Sequence, residues 1–501
     1  MIPSSAPKYR KATAFQNKKR LPLSLSARLN NFRSHPQNEV YVPELQNLMI
    51  SVSGVRGIVG EGLTPAIAMQ FAQAYGSEFG PGKIVVGRDS RVTGNMLKYA
   101  VWSGLMSVGC DVVDIDLAST PTTELVTENP EHAGGIILTA SHNPKQWNAL
   151  KLLAPDGLFL RAEQGEKIVA RVRNLDFKPA SWDRMGRVFP YANAAEEHVA
   201  SILDLPLIRA EEIKSKKFRV VADCCHGAGG VILPQLFEGL GCDVSYLYRE
   251  PNGQFPRNPE PSPENLNELC RAVISHRADL GIAVDPDVDR LALVSEQGKP
   301  LGEEYTLALA TKFVLSKTPG DVVVNASTTR AIDDVAKLTG GRVHRTPVGE
   351  IHVAVKAKQI GAVMAGEGNG GVMYPELHIG RDAPVGIALI LQYLAESRQP
   401  ISALHASIPQ YVMIKDKIEL GFGVDARGTV AQLEAGLKNE NLNTLDGLKI
   451  IYADSWIHIR ASNTEPIIRI IAEAPNAEQA ANMVERFKSE LEQIGTQADQ
   501  K

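Results

Sequence analysis

The sequence repeats one local pattern three times, and this repetition limits the folds that the chain can adopt. An apolar run at residues 83–87, 218–223 or 321–325 is followed each time by a turn of small and polar residues and then by a helical stretch. Strands that alternate with helices in this way form parallel or mixed sheets covered by helices. The units begin roughly 100 residues or more apart, which is too far for a solenoid. The pattern therefore predicts three related α/β domains.

The C-terminal part of the chain follows a different pattern. Residues 449–452, 456–460 and 467–471 are short apolar segments of the kind that form antiparallel strands, and an amphipathic helix is expected over residues 477–494. We therefore predict a smaller α+β domain at this end, and an α/β fold class for the chain as a whole.

The first 48 residues differ from the rest in charge. They contain eight basic residues and two acidic ones, and they lack the apolar segment of a secretory signal. We expect residues 1–48 to be a disordered basic extension. Two other interpretations stay open, namely an organelle transit peptide and a start codon assigned too far upstream of Met49.

The overall composition excludes several classes of protein. The chain is 44% hydrophobic and 22% charged with a net charge of −4, which argues against disorder and against a dedicated nucleic-acid or membrane-surface binder. No apolar run approaches the roughly 18 residues that a membrane span needs. The five cysteines include no CxxC pair, so neither a disulfide framework nor a zinc site is expected. These features favour a cytoplasmic enzyme that acts on a small molecule.

The sharpest local motif is the hexapeptide Thr-Ala-Ser-His-Asn-Pro at residues 139–144. It follows an apolar strand and so forms a loop at the carboxyl end of that strand, where open α/β sheets bind their ligands. A serine at this place, Ser141, can act as a nucleophile or as a carrier of a phosphoryl group. A turn whose hydroxyl only satisfies the backbone fits the hexapeptide equally well.

A second motif, Asp285-Pro-Asp-Val-Asp-Arg290, places three carboxylates at alternate positions between two apolar strands. Three uncompensated anions beside buried strands repel one another, and a cation bound between them removes that repulsion. Two features argue against an EF-hand loop here: Arg290 stands at the sixth position, where glycine is required, and the flanking segments are β-like rather than helical. Carboxylate oxygens with room for a phosphate oxygen suit Mg²⁺. A solvated acidic turn is the alternative.

Two further loops carry groups that suit a sugar phosphate. Four glycines surround Glu367 and Asn369 in residues 366–371, and these two side chains can exchange hydrogen bonds with a polyol. The segment from Arg460 to Thr464 offers the guanidinium, hydroxyl and amide groups of a phosphate cradle. Each loop taken alone is also compatible with an ordinary turn.

Taken in this order, the four loops resemble those of the α-D-phosphohexomutase superfamily, whose members interconvert sugar 6-phosphates and sugar 1-phosphates. The resemblance runs from about Met49 to the C-terminus. It implies three related mixed-sheet α/β domains plus a smaller C-terminal α+β domain around a central cleft. The implied domains are residues 49–190 with the phosphoserine loop, 191–298 with the metal-binding loop, 299–408 with the sugar-binding loop, and 409–501 with the phosphate-binding loop.

The resemblance also implies a role for individual residues. Ser141 is expected to carry the phosphoryl group, whose oxygen would join Asp285, Asp287 and Asp289 in binding Mg²⁺. The other implied residues are the catalytic Lys151, Arg56 and His142, and the substrate-binding Arg290, Glu367, Asn369, Arg460, Ser462, Asn463 and Thr464.

The sequence departs from many relatives at two positions where they carry histidine. Here Glu350 and Gly371 stand at those positions, so the general acid is left open among Glu350, Glu367 and Lys151. The glycine-rich loop and the segment before Glu350 look more like an archaeal-type subgroup that is often assigned as phosphoglucosamine mutases.

The resemblance implies a Mg²⁺-dependent isomerase, an intramolecular phosphotransferase that works through a bisphosphorylated sugar and is activated by hexose 1,6-bisphosphate. Phosphoglucosamine mutase is the first assignment, with phosphomannomutase or phosphoglucomutase as the alternative. A metal-dependent phosphatase and a non-catalytic sugar-phosphate-binding protein stay open as other classes. The expected partner is a small sugar phosphate, rather than nucleic acid or a membrane, and a homodimer is left open.

Overall fold

The structure, a computed structural model, describes residues 45–51, 54–419, 425–437, 440–462 and 467–498. Residues 1–44, which make up most of the predicted N-terminal extension, lie outside these ranges. Leu45–Asn47 form one turn of 3-10 helix, and Leu48 is buried against the core of the first sheet. None of the helices in the described residues combines the length and the apolar character that crossing a membrane demands.

A seven-stranded mixed sheet organises the first part of the chain. Its strands are β1 (Met49–Ser51), β2 (Gly54–Ile58), β3 (Lys83–Arg88), β4 (Asp111–Leu117), β5 (His132–Leu138), β6 (Trp147–Leu153) and β7 (Val188–Pro190). They lie in the order β1-β2-β6-β5-β3-β4-β7. Strands β5, β3, β4 and β7 are parallel, and β6 runs antiparallel to β5. The helices of this part are α1 (Pro65–Phe79), α2 (Gly94–Ser107), α3 (Thr120–Thr127) and α4 (Ala162–Asn174).

Helix α1 shows how local sequence and packing agree in this unit. The Thr64 hydroxyl accepts a hydrogen bond from the Ile67 amide, and a proline stands at the first helical position, which are both features of a helix start. Ile67, Phe71 and Tyr75 then recur every four residues and are buried in the core of the first sheet, as expected of an amphipathic helix.

The second part of the chain contains a four-stranded sheet. Its strands are β8 (Arg219–Asp223), β9 (Asp243–Leu247), β10 (Leu280–Val284) and β11 (Leu291–Ser295), in the order β11-β10-β8-β9. Only β11 is antiparallel to its neighbour. The helices are α5 (Ala194–Leu203), α6 (Ala210–Lys216), α7 (Gly229–Gly239) and α8 (Asn267–His276). Strands β10 and β11 are buried along their whole length, which accounts for their uninterrupted apolar sequence.

A second four-stranded sheet with the same arrangement follows. Its strands are β12 (Val322–Asn325), β13 (Val343–Thr346), β14 (Met364–Glu367) and β15 (Gly371–Met373), in the order β13-β12-β14-β15. Again only the last strand is antiparallel. The helices are α9 (Glu303–Lys317), α10 (Ala331–Leu338), α11 (Glu350–Ile360), α12 (Ala383–Ser397) and α13 (Ile401–Ala406). One continuous apolar core joins this unit to the previous one.

The C-terminal unit is built on an antiparallel sheet. Its strands are β16 (Val412–Glu419), β17 (Leu442–Asn443), β18 (Leu448–Ile451), β19 (Trp456–Ala461) and β20 (Ile467–Ala474), in the order β16-β20-β19-β18-β17. Two helices, α14 (Ala426–Gly436) and α15 (Ala477–Ala498), accompany the sheet and share its core.

The predicted fold class is confirmed, and the three α/β units share one more feature. In each of them the chain leaves the parallel part of the sheet and returns as an antiparallel strand, from β5 to β6, from β10 to β11 and from β14 to β15. The serine motif, the aspartate motif and the glycine-rich motif occupy these three turns. The fold therefore presents the three motifs at equivalent places. The predicted domain bounds stay predictions.

Candidate active site

Ser141 occupies a strained position in the turn between β5 and β6. Its φ angle is 49°, a left-handed conformation that non-glycine residues adopt at a cost and that concentrates at functional sites. The Ser141 amide donates to the Thr139 hydroxyl over 3.0 Å, and the Ser141 hydroxyl donates to Asp285 Oδ2 over 2.8 Å. A hydroxyl of the first unit is therefore in direct contact with the aspartate motif of the second.

A fully buried arginine, Arg91, holds the serine turn in shape. Its guanidinium pairs with Asp89 over 2.9 Å, and Asp89 also accepts a hydrogen bond from the Thr139 hydroxyl over 2.7 Å. The same guanidinium donates to four backbone carbonyl oxygens of the turn, those of Ser141 (2.6 Å), Asn143 (2.7 Å), Pro144 (2.8 Å) and Trp147 (2.9 Å). These bonds give the energetic support that a strained turn needs.

The three aspartates of the second unit converge in the turn between β10 and β11. Asp285, Asp287 and Asp289 are all fully buried, and one carboxylate oxygen from each lies within 4.8 Å of the others. Asp285 Oδ1 accepts the backbone amides of Asp289 and Arg290. The other oxygen of Asp285 is the one that faces Ser141.

Protein donors hold one oxygen of each remaining aspartate. Asp287 Oδ2 accepts from Lys151 Nζ over 2.7 Å and from the Thr120 hydroxyl over 2.8 Å. Asp289 Oδ2 accepts from Arg381 over 2.7 Å. The second oxygens, Asp287 Oδ1 and Asp289 Oδ1, are buried and have no hydrogen-bond partner. In Asp287 and Asp289, the hydrogen bonds to Oδ2 thus fix the orientation of the carboxylate, and Oδ1 is available to a ligand.

This donor set fits a hard divalent cation. Buried oxygens without partners are costly unless an ion or water binds them, and carboxylate oxygens are the ligands that Mg²⁺ prefers. Burial, together with the charges of Asp287 and Asp289, raises the pKa of Asp285 well above its usual range. A bound cation would relieve the same repulsion that raises this pKa.

Lys151 is committed to the aspartates. It lies on β6, its Nζ is 2.7 Å from Asp287 and 3.5 Å from Asp289, and it is almost completely buried. Burial alone would lower its pKa, but the two carboxylates hold the pKa of Lys151 above its usual range. The group is therefore a fixed cation of the site.

His142 is the titratable group next to Ser141. Its Nδ1 lies 3.4 Å from Ser141 Oγ, and its Nε2 lies 3.6 Å from Glu260. Burial and the nearby cations Arg290 and Arg56 keep the pKa of His142 well below its usual range. The imidazole is consequently neutral at neutral pH.

The two predicted arginines lie near this histidine. Arg56, on β2, donates to Asn143 Oδ1 of the serine turn over 2.9 Å. Arg290 pairs with Glu260, and its Nε lies 3.7 Å from Asp289 Oδ1. Both arginines lie close enough to His142 to lower its pKa, so they add positive charge around the serine turn.

The glycine-rich turn of the third unit joins the same site. Glu367 is buried and ionised: its carboxylate accepts from Arg381 over 2.9 Å, Asn325 over 2.8 Å and the Gly349 amide over 3.2 Å. Burial would raise its pKa, but Arg381 and Asn325 keep the pKa of Glu367 below its usual range. Asn369 is half-buried, and its Oδ1 accepts a hydrogen bond from the Gly371 amide over 3.2 Å.

The fourth predicted loop is only partly described. Arg460, at the end of β19, lies 3.5 Å from Asp446, and the two line a cavity of about 350 Å³ together with Arg427. Asp446 also accepts the amide of Val348 in the third unit over 2.9 Å. The two arginines on one cavity wall are the groups that a phosphate requires.

The remaining residues of that loop add little to this picture. The Ser462 amide donates to the carbonyl of Ile467 over 2.9 Å, which closes the turn between β19 and β20. The predicted Asn463 and Thr464 lie outside the described residues, so their roles stay predictions.

Three site residues were missed by the sequence analysis: Arg91, Thr120 and Arg381. Arg91 and Thr120 each come three residues after the end of a strand, β3 and β4 respectively. The rule that ligands bind beyond the carboxyl ends of parallel strands could have pointed to these two. Arg381 follows an antiparallel strand, and nothing in its local sequence points to the site.

The chain is similar to known proteins in its domains, its sequence and its structure. Models of the four domains of phosphoglucomutase/phosphomannomutase match in order: alpha/beta/alpha domain I matches residues 48–179, domain II residues 196–298, domain III residues 302–411, and the C-terminal domain residues 419–490. Together they span most of the chain.

Similar whole proteins were found among archaea and bacteria. A "Probable phosphoglucosamine mutase" of Methanopyrus kandleri is 38% identical over 439 residues, which cover 87% of this chain and 96% of that protein. A "Phosphoglucomutase/phosphomannomutase" of Thermococcus kodakarensis is 38% identical over 447 residues, covering 86% and 96%. The crystal structure of a phosphoglucomutase/phosphomannomutase family protein from Burkholderia thailandensis is 28% identical with a TM-score of 0.78, covering 89% and 98%.

The role of Arg91 can be tested by its removal. In the variant Arg91→Met the buried Asp89 loses its cation, so we expect the free energy of unfolding to fall by about 3–5 kcal/mol, measured by urea denaturation. Asp89→Asn in the same chain should recover part of that loss, because it removes the unpaired charge.

A matched control is Arg209→Met. Arg209 also pairs with two carboxylates, but its side chain is 50% exposed, so its loss should cost less than about 1 kcal/mol. Equal losses for the two arginines would contradict the assignment of Arg91 as the support of the serine turn.

Proposed function

This chain belongs to the phosphoglucomutase/phosphomannomutase family, and we propose that it is a phosphoglucosamine mutase. The four matched domains confirm the superfamily resemblance that the motifs carried. The chain is thus an isomerase of the mutase type. The proposed reaction interconverts hexose 6-phosphate and hexose 1-phosphate through phospho-Ser141 and a bisphosphorylated sugar. Phosphomannomutase or phosphoglucomutase activity is the alternative.

One contact carries this proposal: the hydrogen bond of 2.8 Å between Ser141 Oγ and Asp285 Oδ2. It brings the acceptor of the phosphoryl group to the carboxylates that would hold the metal ion. A phosphate on that oxygen would lie within reach of the two free carboxylate oxygens of Asp287 and Asp289. Phosphoryl transfer depends chiefly on such positioning and on neutralising charge.

Mg²⁺ is the proposed cofactor, held by Asp285, Asp287, Asp289 and a phosphate oxygen on Ser141. When bound, it would neutralise charge on the phosphoryl group as that group moves. Hexose 1,6-bisphosphate is the proposed activator, because it can place a phosphoryl group on Ser141 before the first turnover. The proposed partner is the small sugar phosphate alone.

The chain's own residues carry the transfer in two half-reactions. The free hydroxyl of the bound sugar attacks the phosphorus of phospho-Ser141, so that a phosphorus–oxygen bond to the sugar forms as the bond to Ser141 Oγ breaks. Arg56 and Arg290 hold positive charge beside the moving group. The proton that the sugar hydroxyl loses balances the proton that Ser141 Oγ gains as it leaves, and neutral His142, whose Nδ1 is 3.4 Å from Ser141 Oγ, would pass that proton on to the serine. In the second half-reaction Ser141 Oγ takes the other phosphoryl group from the bisphosphorylated sugar, which leaves the isomeric sugar monophosphate.

Two residues of the glycine-rich turn support an amino sugar as the substrate. The ionised carboxylate of Glu367 can accept hydrogen bonds from sugar hydroxyls and attract a protonated 2-amino group. Asn369 can exchange a hydrogen bond with the same group. Several similar proteins carry the name "Probable phosphoglucosamine mutase", which agrees with this choice.

The first test is turnover of Ser141→Ala on the 1-phosphates of glucosamine, glucose and mannose. We expect wild-type kcat/KM to be highest for glucosamine 1-phosphate, and we expect the variant to retain its Tm but less than about a thousandth of wild-type activity. Mass spectrometry should find phosphate on the Ser141 peptide of the wild type after incubation with hexose 1,6-bisphosphate.

Ser103→Ala is the control, since Ser103 is exposed and donates only to a carbonyl of its own helix. Full activity of Ser141→Ala would exclude the phosphoserine mechanism. Release of free phosphate without isomerisation would indicate a phosphatase, and tight sugar-phosphate binding without either reaction would indicate a binding protein. A preference for glucose or mannose would select the alternative mutase.

The second test is metal dependence. We expect a chelator to abolish turnover and added Mg²⁺ to restore it, and Asp287→Asn to raise the Mg²⁺ concentration for half-activation by more than about 100-fold, beyond the effect typical of outer-shell residues. Asp116→Asn is the control, because Asp116 is half-exposed and pairs with cations far from the aspartate motif in sequence. Undiminished turnover in the chelator would refute the metal assignment.

A further inference from the structure

We infer that Arg381 is a positioning residue that couples the sugar-binding turn to the metal-binding turn. This inference rests on the proposed function, because it assigns sugar binding to Glu367 and metal binding to Asp289. Arg381 lies in the loop between β15 and α12 and is itself almost completely buried. It belongs to none of the four motifs of the sequence.

The guanidinium of Arg381 reaches three carboxylates of two different units. One terminal nitrogen donates to Asp289 Oδ2 over 2.7 Å, and the other donates to Glu367 Oε2 over 2.9 Å. Its Nε lies 3.1 Å from Glu350 Oε2. A planar guanidinium fixes the directions of its donors, so the position of Asp289 and the position of Glu367 depend on each other through one rigid group.

The third unit leaves space for this side chain by means of a glycine. A Cβ atom placed on Gly371 would lie 2.3 Å from Arg381 Cδ and 2.9 Å from its Cγ, which is closer than real Cβ contacts. The backbone of Gly371 has no left-handed φ, so any residue could adopt its conformation. Space for Arg381 is therefore the main physical reason for a glycine at position 371.

The backbone of Arg381 is fixed as firmly as its side chain. Its amide donates to Glu350 Oε1 over 2.9 Å. The next residue, Asp382, caps helix α12 by accepting the Val385 amide over 3.0 Å. An arginine on such a support can hold other groups in place, since little of its conformational freedom is left to lose on contact.

Two buried histidines complete that support. His198 Nε2 lies 2.8 Å from Asp382 Oδ2, and His378 Nε2 lies 3.1 Å from the same oxygen. His198 belongs to helix α5 of the second unit, and its Nδ1 is 2.9 Å from the Thr122 hydroxyl of the first. All three α/β units thus contribute to fixing the residue that follows Arg381.

The charge balance explains why an arginine is needed at this place. Asp289, Glu350 and Glu367 are buried carboxylates, and among these three Lys151 comes within ion-pairing distance only of Asp289, at 3.5 Å. Buried anions without a partner repel and are costly. Without Arg381, Glu367 would keep Asn325 and one backbone amide but lose its only charged partner within ion-pairing distance among the described residues.

The test measures two affinities that need no turnover. For Arg381→Gln we expect the Kd for glucosamine 6-phosphate, measured by calorimetry without metal, and the Kd for Mg²⁺, measured without sugar, both to rise by about 10- to 100-fold. Gly371→Ala should raise both Kd values in the same direction while keeping the guanidinium, because its Cβ displaces Arg381. Arg381→Lys should keep the charge and most of the Tm, yet leave at least one affinity weakened, since one ammonium cannot span both carboxylates.

Arg171→Gln is the matched control: Arg171 also holds two carboxylates, Glu78 and Asp176, but on helix α4 away from the motifs, and both affinities should equal those of wild type. If Arg381→Gln does not fold, the two affinities of Gly371→Ala and Arg381→Lys test the inference instead. The inference is overturned if folded Arg381→Gln or Gly371→Ala keeps either affinity within about twofold of wild type, or if Arg381→Lys keeps both. A wild type without mutase turnover would instead refute the proposed function, and the two affinities would still test the coupling.

Discussion

The whole site depends on three carboxylates that the fold buries in one short turn. Asp285, Asp287 and Asp289 follow a strand that is itself buried on both faces, so water cannot stabilise their charge. Such anions persist only where cations and hydrogen-bond donors surround them. The protein draws these groups from other units, with Lys151 from the first and Arg381 from the third. Compensating the charge of one turn therefore also holds three units together.

A common topology explains why the motifs can meet. Each α/β unit places its motif where the chain leaves the parallel strands and turns back as an antiparallel strand. The carboxyl ends of parallel strands are where such sheets bind ligands, so three equivalent turns supply the Ser141 hydroxyl, the aspartates of the proposed metal site and the proposed sugar-binding carboxylate of Glu367. The fourth unit differs in sheet type and contributes Arg460, whose partner Asp446 also contacts the third unit.

Much of this could be predicted from the sequence, and the reasons for the rest are physical. Apolar strands, glycine turns and alternating acids are local patterns, and they were enough to predict the α/β class and to single out Ser141, Asp285 and Glu367. The place of Arg91 after β3 could have marked it as a candidate, but its role could not be predicted, because it acts mainly on backbone carbonyls that have no sequence signature. Arg381 lies 92 residues from Asp289 in the chain, so their contact could not be predicted from local sequence. The reason for glycine at position 371 is likewise structural, because a side chain there would occupy the space of Arg381.

The proposed mechanism depends most directly on where a metal ion and a phosphoryl group bind. The decisive measurement is a crystal structure of the protein loaded with hexose 1,6-bisphosphate and Mn²⁺, with the ion located by anomalous scattering. The account predicts phosphate on Ser141 Oγ and one ion bound by that phosphate and by Asp285, Asp287 and Asp289, at roughly 2.0–2.2 Å from each ligand oxygen as hard divalent ions require. An ion bound elsewhere, or a phosphate on a different residue, would contradict it.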